Sequence, residues 1–236
     1  MNLKFNLSEF SGQAPVFPLP HVIQFPQTML PLHIFEERYQ AMLEAALDGE
    51  KMIAMGVLKP GWEENYSGNP DIYATVCLGT IIQHEPYEDG RSNIILYGLS
   101  RARIQKIITP RPFRTAKIQL LEDQYDGLNV AAIEALQKRI LELYGEYVIE
   151  FADNGVKYPT LSDGEFTLGA LADAVSAVLG LSPEDMVYLL EELRVEMRAQ
   201  YLIRRLQEKM KTHFSPPYKP LATDHILPNF KQIHLN

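Results

Sequence analysis

Near residue 125 the sequence changes character, and this change limits the folds available to the chain. Before it, proline and glycine interrupt short segments that are rich in β-branched residues. After it, apolar residues recur at helical spacing, and proline is nearly absent until the end of the chain. Interrupted short segments favour strands and turns, whereas long periodic ones favour helices. We therefore expect a strand-rich domain at 1–124, a helical bundle at 125–211 and a proline-containing tail at 212–236.

The first domain is expected to contain one helix among several strands. Apolar residues repeat at helical spacing between Glu36 and Asp48, and Gly49 is placed to end that helix. Asp89-Gly90 is typical of a hairpin turn, because glycine readily adopts the positive φ that such turns need. About six extended segments are expected around the helix: Val16–Phe25, Met52–Leu58, Ala74–Gln83, Asn93–Leu99, Arg101–Ile108 and Thr115–Leu121. This pattern predicts an α+β fold that begins with a small, mostly antiparallel barrel.

The second domain is expected to contain three helices. Residues 131–149 and 168–179 have helical periodicity, and Thr167 is placed to cap the second of these helices. Ser182-Pro183 followed by two acids is typical of a helix start, and the periodicity continues to about Lys211. These features predict one long third helix. The tail that follows is expected to dock on folded protein.

Composition excludes several classes of protein. The formal net charge is −8, so strong general attraction to nucleic acid or anionic lipid is not expected. Cys77 is the single cysteine, which rules out an intramolecular disulfide and a multi-cysteine zinc site. The sequence shows no signal-peptide pattern and no apolar run long enough to cross a membrane. We expect a cytoplasmic protein that holds no metal or cofactor.

Motifs of known catalytic sites are missing. The sequence contains no phosphate-binding loop of the P-loop type. His84-Glu85-Pro86-Tyr87-Glu88 lacks the second histidine of a metalloprotease helix, and Gly98-Leu99-Ser100-Arg101-Ala102 lacks the last glycine of a nucleophile elbow. We therefore expect no enzyme activity. A Ser–Lys pair leaves no reliable local pattern, so a hydrolase remains a third hypothesis.

Two segments are candidate binding surfaces. Between Arg91 and Leu121 the chain has seven basic residues and no acid, although it contains 30 acids in total. Arg101 and Arg103 fall on one face of a predicted strand, and Phe113 and Arg114 lie in the same basic segment. This segment is either a solvated strand face or a surface that attracts acidic polypeptide or a nucleic-acid backbone.

The second candidate is the predicted loop 59–73. Long loops are often functional, and Trp62 and Tyr66 are residues that bury much area on contact. The alternative is that both aromatic rings tuck under the loop and hold it in place.

Two sequence blocks resemble the N-terminal domain of Lon proteases. They are VFPLPHVIQFPQTMLPLHIFEERYQAMLEAALDG and GTIIQHEPYEDGRSNIILYGLSRARI. The first has that family's proline-leucine start and its F-E-x-R-Y run before a helix. The second has a Gly-Thr strand, an Asp-Gly hairpin and a Gly-x-x-Arg step, here Gly98 to Arg101. The sequence shows no ATPase or peptidase segment, so the likeness is to free-standing proteins made of this domain.

The resemblance implies a PUA-like pseudo-barrel followed by a helical bundle, and a role in recognising polypeptide. We expect a non-catalytic module that holds unfolded or client proteins, and a protease or chaperone is a possible partner. A homodimer is also possible. The candidate binding residues are Trp62, Tyr66, Arg101, Arg103, Phe113 and Arg114. The alternative function is RNA binding, since PUA-like barrels elsewhere contact RNA and the 91–121 face is basic.

Overall fold

The computed structural model describes residues 7–66, 68–109, 112–151, 158–162, 164 and 166–212. The chain divides into two compact units between Leu121 and Glu122. We call the first the barrel unit and the second the helical unit. The predicted docked tail lies outside the described residues.

The barrel unit is built from six strands and one α-helix. The strands are β1 (Gln13–Leu19), β2 (Met29–Ile34), β3 (Met52–Val57), β4 (Thr75–Pro86), β5 (Ser92–Thr109) and β6 (Arg114–Leu121). Helix α1 (Glu37–Asp48) lies between β2 and β3 and confirms the predicted helix. Short 3₁₀ turns occur at Leu7–Glu9 and Trp62–Asn65.

The strands close into a small barrel. Their order is β2-β5-β4-β3-β1-β6, and β6 also pairs with β5. The pairing of β6 with β5 closes the run β5-β4-β3-β1-β6 into a ring. Most strands therefore have a hydrogen-bonded neighbour on both sides, which removes most free sheet edges. The β1–β3 pair is parallel and every other pair in the sheet is antiparallel. The predicted mostly antiparallel barrel is confirmed.

Strand β5 differs from the prediction because two expected strands are one. The break expected between the segments Asn93–Leu99 and Arg101–Ile108 is absent, and the chain stays extended through Ser100. The strand is long because β2 and β4 pair with its first part while β4 and β6 pair with its second part. Register shifts in the β4–β5 and β5–β6 ladders let this strand bend around the barrel.

Gly98 lies where two backbone segments of the barrel unit approach closely. Its amide donates to the Thr28 carbonyl at 2.9 Å, and its own carbonyl accepts from the Gln27 amide at 2.8 Å. A Cβ at this position would lie 2.2 Å from the Phe25 carbonyl oxygen. The glycine in the Gly-x-x-Arg step therefore has a packing role at the crossing of two chain segments.

Two apolar clusters form the core of the barrel unit. One lies between α1 and the sheet and includes Phe17, Met42, Ile53 and Leu96. The other fills the barrel and includes alternate residues from β1, β3, β4, β5 and β6: Ala14, Val16, Ala54, Val76, Leu78, Ala102, Ala116 and Ile118. Cys77 is buried, in agreement with an inert core thiol.

The helical unit contains α2 (Val130–Phe151), α3 (Leu168–Val178), α4 (Pro183–Glu191) and α5 (Val195–Thr212). Both predicted N-caps are confirmed. The Thr167 hydroxyl accepts from the Ala170 amide and the Ser182 hydroxyl accepts from the Asp185 amide, each at 3.2 Å. Helix α3 is buried along nearly its whole length, as expected for the central helix of a bundle.

The predicted single long third helix is wrong, because α4 and α5 are separate helices. Glu192 leaves the helical conformation, with φ −77° and ψ 115°. The Leu193 carbonyl accepts from the Gln124 amide at 2.8 Å, and the Val195 amide donates to the Gln124 carbonyl at 2.9 Å. These backbone groups pair with the start of the unit instead of continuing the helix.

The α+β prediction of a barrel followed by helices is thus confirmed. Within the described residues, no helix is long and apolar enough to cross a membrane.

Candidate binding cleft

A cleft of about 630 Å³ opens in the barrel unit. It lies where the end of β1, the first turn of α1, the loop before β4 and the start of β6 meet. The described residues that line it are Val16, Pro18, Arg38, Tyr39, Leu58, Tyr66, Gly68, Asn69, Pro70, Pro112, Phe113 and Arg114. Three prolines and five aromatic or aliphatic side chains give it apolar walls, and two arginines supply its positive charge.

The loop that forms one wall is closed at its base. The Lys59 amide donates to the Asp71 carbonyl at 2.9 Å, and the Tyr73 amide donates to the Val57 carbonyl at 3.0 Å. These bonds hold the two ends of the loop together, so that its 3₁₀ turn at Trp62–Asn65 projects from a fixed stem.

Tyr66 fastens this loop to the start of α1. Its hydroxyl donates to Glu36 at 2.7 Å, and its carbonyl accepts from the Arg38 guanidinium at 3.2 Å. Burial and the bond to Glu36 raise the pKa of Tyr66, so the phenol stays protonated as the donor. Part of the predicted alternative is therefore observed: Tyr66 holds the loop in place, and its ring also lines the cleft.

Arg38 lies between two aromatic rings and is neutralised by Glu36. Its guanidinium carbon is 4.5 Å from the Tyr39 ring centre and 4.7 Å from that of Tyr66. An ion pair of 2.8 Å joins it to Glu36. Burial lowers the pKa of Arg38, but Tyr39 and Glu36 outweigh this effect and the pKa lies above its usual value.

Arg114 lies deeper and has neutral partners. It is 8% exposed, because β6 places it opposite Val16 of β1 at the barrel wall. One guanidinium nitrogen donates to the Pro70 carbonyl at 2.6 Å, and Nε donates to the Asn69 side chain at 3.5 Å. Burial is the main cause that lowers the pKa of Arg114 below its usual value, and the arginine remains charged at neutral pH.

The structure brings together three of the predicted site residues. Tyr66, Phe113 and Arg114 all line the cleft. Trp62 is half-buried and contacts the Tyr66 ring edge-on, with ring centres 5.5 Å apart. It therefore lies beside the cleft and not in its lining.

The two other predicted residues lie elsewhere. Arg103 is exposed on β5 and does not line the cleft. Arg101 is 2% exposed, so the prediction that it shares an exposed basic face with Arg103 is wrong. The two residues are two positions apart on β5 and lie on one face of the strand, but that face is buried at Arg101 and exposed at Arg103.

Sequence reasoning missed Arg38 and Tyr39 as site residues. The signal was present, since both belong to the F-E-E-R-Y run that carries the family resemblance. Tyr39 fits the apolar stripe of α1, and its ring packs on Phe17 at 4.4 Å, so the helical pattern explains it as core. Its exposure to the cleft arises from the loop and β6, which are distant in sequence.

The described lining offers binding groups and no apparent catalytic ones. It contains no serine, cysteine, histidine, lysine or carboxylate that could act as nucleophile or general base. Ser100, in the motif that resembled a nucleophile elbow, lies on β5, and its hydroxyl is engaged with the Arg101 and Leu121 carbonyls. Among the residues that the structure describes, no group of three or more possible metal ligands occurs.

Comparison with known proteins gives one consistent likeness. The family model described as "ATP-dependent protease La (LON) substrate-binding domain" matches residues 13–208. A Lon protease of Desulfosudis oleivorans is 25% identical over 201 residues, which is 83% of this chain and 24% of that protein. The Lon protease of Escherichia coli K12 is 25% identical over 198 residues, which is 84% of this chain and 25% of that protein. The chain thus spans about a quarter of the length of these relatives.

Solved structures agree on the fold. The N-terminal domain of a Mycobacterium avium complex Lon protease has a TM-score of 0.60 at 17% identity and covers 83% of this chain and 98% of its own. A Lon N-terminal domain protein from Xanthomonas campestris has a TM-score of 0.59 at 18% identity and covers 81% of this chain and 97% of its own.

Proposed function

Because this chain belongs to the family of Lon substrate-binding domains, we propose that it is a non-catalytic module that holds extended or unfolded segments of other proteins. The bound segment would lie in the cleft of the barrel unit. A protease or a chaperone that acts on the same clients is the partner we propose, and a second copy of the chain is the alternative.

The observation that supports this proposal is the composition of the cleft walls. Pro18, Pro70, Pro112, Phe113 and Tyr66 offer rigid apolar surface that can bury side chains of a client without ordering many rotors. Arg38 and the backbone of the loop add polar groups that can meet a peptide main chain. A cleft of about 630 Å³ is large enough for a few residues of extended chain.

The affinity of such a site for unfolded protein should be modest. A flexible segment loses conformational freedom when it is held, and this opposes the gain from burying apolar side chains. Micromolar binding and rapid exchange would suit a module that samples many clients.

Phe113→Ala is the first test. The ring is half-buried and packs partly against the core cluster beneath α1, so its loss removes apolar wall from the cleft. We expect the dissociation constant for a fluorescently labelled unfolded protein, such as reduced carboxymethylated lactalbumin, to rise at least several-fold in anisotropy titrations. Ile149→Ala is the matched control, because Ile149 is an 81% exposed apolar residue of the helical unit. Equal binding by wild type and Phe113→Ala would reject the cleft as the site.

Trp62→Ala tests the neighbouring loop. Trp62 contacts Tyr66 at the loop's 3₁₀ turn, and we expect its loss to weaken capture of the same unfolded protein with little change in melting temperature. A large drop in melting temperature would instead make the tryptophan a structural residue of the loop.

We propose no bond-breaking step. The matched family model describes a substrate-binding domain and not a peptidase, and the lining residues that the structure describes include no nucleophile. Labelled casein incubated with the protein, with and without ATP, should stay intact at concentrations where it is bound. Turnover that disappears when Ser100 is replaced by alanine would revive the hydrolase hypothesis.

A further inference from the structure

Arg114 is a buried cation without an acidic partner among the described residues. Other arginines are paired: Arg38 with Glu36 at 2.8 Å, Arg91 with Asp89 at 2.6 Å and Arg198 with Asp123 at 2.7 Å. Arg114 forms no such ion pair within the described part of the chain, although it is 8% exposed. Removing a guanidinium from water without an anion is unfavourable, so the arrangement needs a reason.

The guanidinium is held in a fixed orientation. Nη2 donates to the Pro70 carbonyl at 2.6 Å and Nε donates to the Asn69 side chain at 3.5 Å. Nη1 makes no hydrogen bond with the described residues, and it is not fully enclosed by protein atoms. Since Arg114 lines the cleft, Nη1 can donate a hydrogen bond to a group that enters the cleft.

Among the described lining residues, Arg114 is the one positive charge without an acidic ion-pair partner, and it lies beside apolar walls. Glu36 cancels the charge of Arg38. Asp71, which raises the pKa of Arg114 through space, is exposed and forms no ion pair with it. A single charge is too little for a nucleic-acid backbone, whose binding is built from several phosphate contacts. It does suit a single carboxylate.

We propose that the cleft selects polypeptide segments that carry a carboxylate next to an apolar side chain. The carboxylate accepts from Arg114, and the apolar side chain packs on Phe113 and its neighbouring prolines. The carboxylate comes either from an aspartate or glutamate side chain or from the end of a client chain. This inference rests on the proposed function and names the kind of segment that the site would prefer.

Three labelled octapeptides of one sequence, each with phenylalanine as its last residue, separate these sources. The first has glutamate beside the phenylalanine and an amidated end, the second has glutamine there and an amidated end, and the third has glutamine and a free terminal carboxylate. We expect the acidic peptide, the free-ended peptide or both to bind at least tenfold more tightly than the neutral one. A hydrogen bond to a charged group is strong enough to produce a ratio of this size.

Variants then assign the preference to Arg114. Arg114→Gln should reduce the ratio between acidic and neutral peptide to near one, whereas Arg114→Lys should retain part of it. Arg103→Gln is the matched control, because it removes the same charge from an exposed position of the same sheet and should leave the ratio unchanged. Circular dichroism melting checks the fold of each variant. If Arg114→Gln does not fold, the ratio measured with wild type still decides.

The outcomes separate the two proposals. Equal binding of all three peptides by wild type, or an unchanged ratio in folded Arg114→Gln, overturns the carboxylate preference and leaves polypeptide binding in place. Failure of wild type to bind any peptide or unfolded lactalbumin overturns both.

Discussion

At the level of single residues, a buried arginine in each unit has a different kind of partner. Arg198 is fully buried in the helical unit, 2.7 Å from Asp123 and 3.8 Å from Asp173. Arg114 of the barrel unit has a carbonyl and an amide oxygen as partners. The first arrangement is a closed ion cluster that joins the start of the unit to α3 and α5. The second is open to a cleft, as the binding role that we propose for Arg114 requires.

Arg198→Met should destabilise the protein strongly. It leaves Asp173, which is 2% exposed, and the half-buried Asp123 without their cation. Breaking a buried pair by removing one partner typically costs about 3–5 kcal/mol. We expect a loss of that order in the free energy of unfolding measured with urea. Arg194→Met is the control, since Arg194 is exposed and pairs with Glu192 at the surface, where a pair contributes about 1 kcal/mol or less. Similar losses in both variants would contradict a special role for Arg198.

The buried phenols of Tyr39 and Tyr97 should make the protein less stable at alkaline pH. Burial raises the pKa of each to about 12. In the unfolded chain a tyrosine ionises near about pH 10, so between about pH 10 and 12 the folded state binds more protons than the unfolded state. Below about pH 10 the ionisation of these tyrosines therefore does not reduce the free energy of unfolding. Above it, the free energy of unfolding falls by up to about 1.4 kcal/mol per pH unit for each tyrosine.

Urea unfolding from pH 8 to 12 measures this slope. Tyr39→Phe should reduce it, because the variant has no ionisable group at that position. Tyr87→Phe, which changes an exposed ring, serves as the control. A slope that is unchanged by Tyr39→Phe would show that other groups dominate the alkaline loss.

At the level of elements, the sheet places two lysines directly opposite each other. Lys106 of β5 pairs with Lys117 of β6, and both side chains are exposed. Like charges on opposed strand positions repel and destabilise a sheet. This pair lies beside the register shift in the β5–β6 ladder, where the strand bends around the barrel.

Lys117→Glu should therefore stabilise the barrel unit. Replacing repulsion by attraction across the strands is expected to raise the free energy of unfolding by about 0.2–1 kcal/mol. Lys117→Gln removes the repulsion alone and should give a smaller gain. Both gains should be smaller in 0.5 M salt, because salt screens exposed charges. The screening length is about 10 Å at 0.1 M and becomes shorter at higher salt concentration. A loss of stability in Lys117→Glu at low salt would contradict this interpretation.

Elements defined by local chemistry were predictable from the sequence, and those defined by distant partners were not. Helix α1, the caps at Thr167 and Ser182 and the hairpin at Asp89-Gly90 follow from residues that touch within one turn. The continuity of β5 and the break before Val195 depend on backbone pairing with strands and with Gln124 far away in sequence. The hydrophobic periodicity of a segment does not indicate which distant segment it will pair with.

The candidate site divides in the same way. Tyr66, Phe113 and Arg114 were identified from residue type and local context, and the cleft brings them together. Arg38 and Tyr39 were not among the predicted site residues, and Arg101 was expected on an exposed strand face. The cleft lining and the burial of Arg101 depend on segments that are distant in sequence.

For the whole molecule, the distribution of charge argues against RNA as the ligand. The chain has a net charge of −8, and the basic segment from 91 to 121 is less exposed than its sequence suggests. Arg101 and Arg114 are buried, and Arg91 pairs with Asp89 at 2.6 Å. Of the basic residues in this segment that the structure describes, Arg103, Lys106 and Lys117 remain as exposed cations on β5 and β6, and none forms an ion pair with an acid among the described residues.

With three exposed cations among the described residues of this segment and a net charge of −8, the protein should bind nucleic acid weakly. Affinity from phosphate contacts falls steeply with salt, by about one power of salt concentration for each contact. We expect a labelled 20-nucleotide RNA to bind more weakly than about 10⁻⁴ M at physiological salt, the weak end of non-specific binding. The double change Arg103→Glu and Lys106→Glu should then alter capture of unfolded lactalbumin little, because neither residue lines the cleft. Micromolar RNA binding that is lost in this double variant would instead place the function of the barrel on its β5–β6 face, and the cleft would have to be reconsidered as a structural gap.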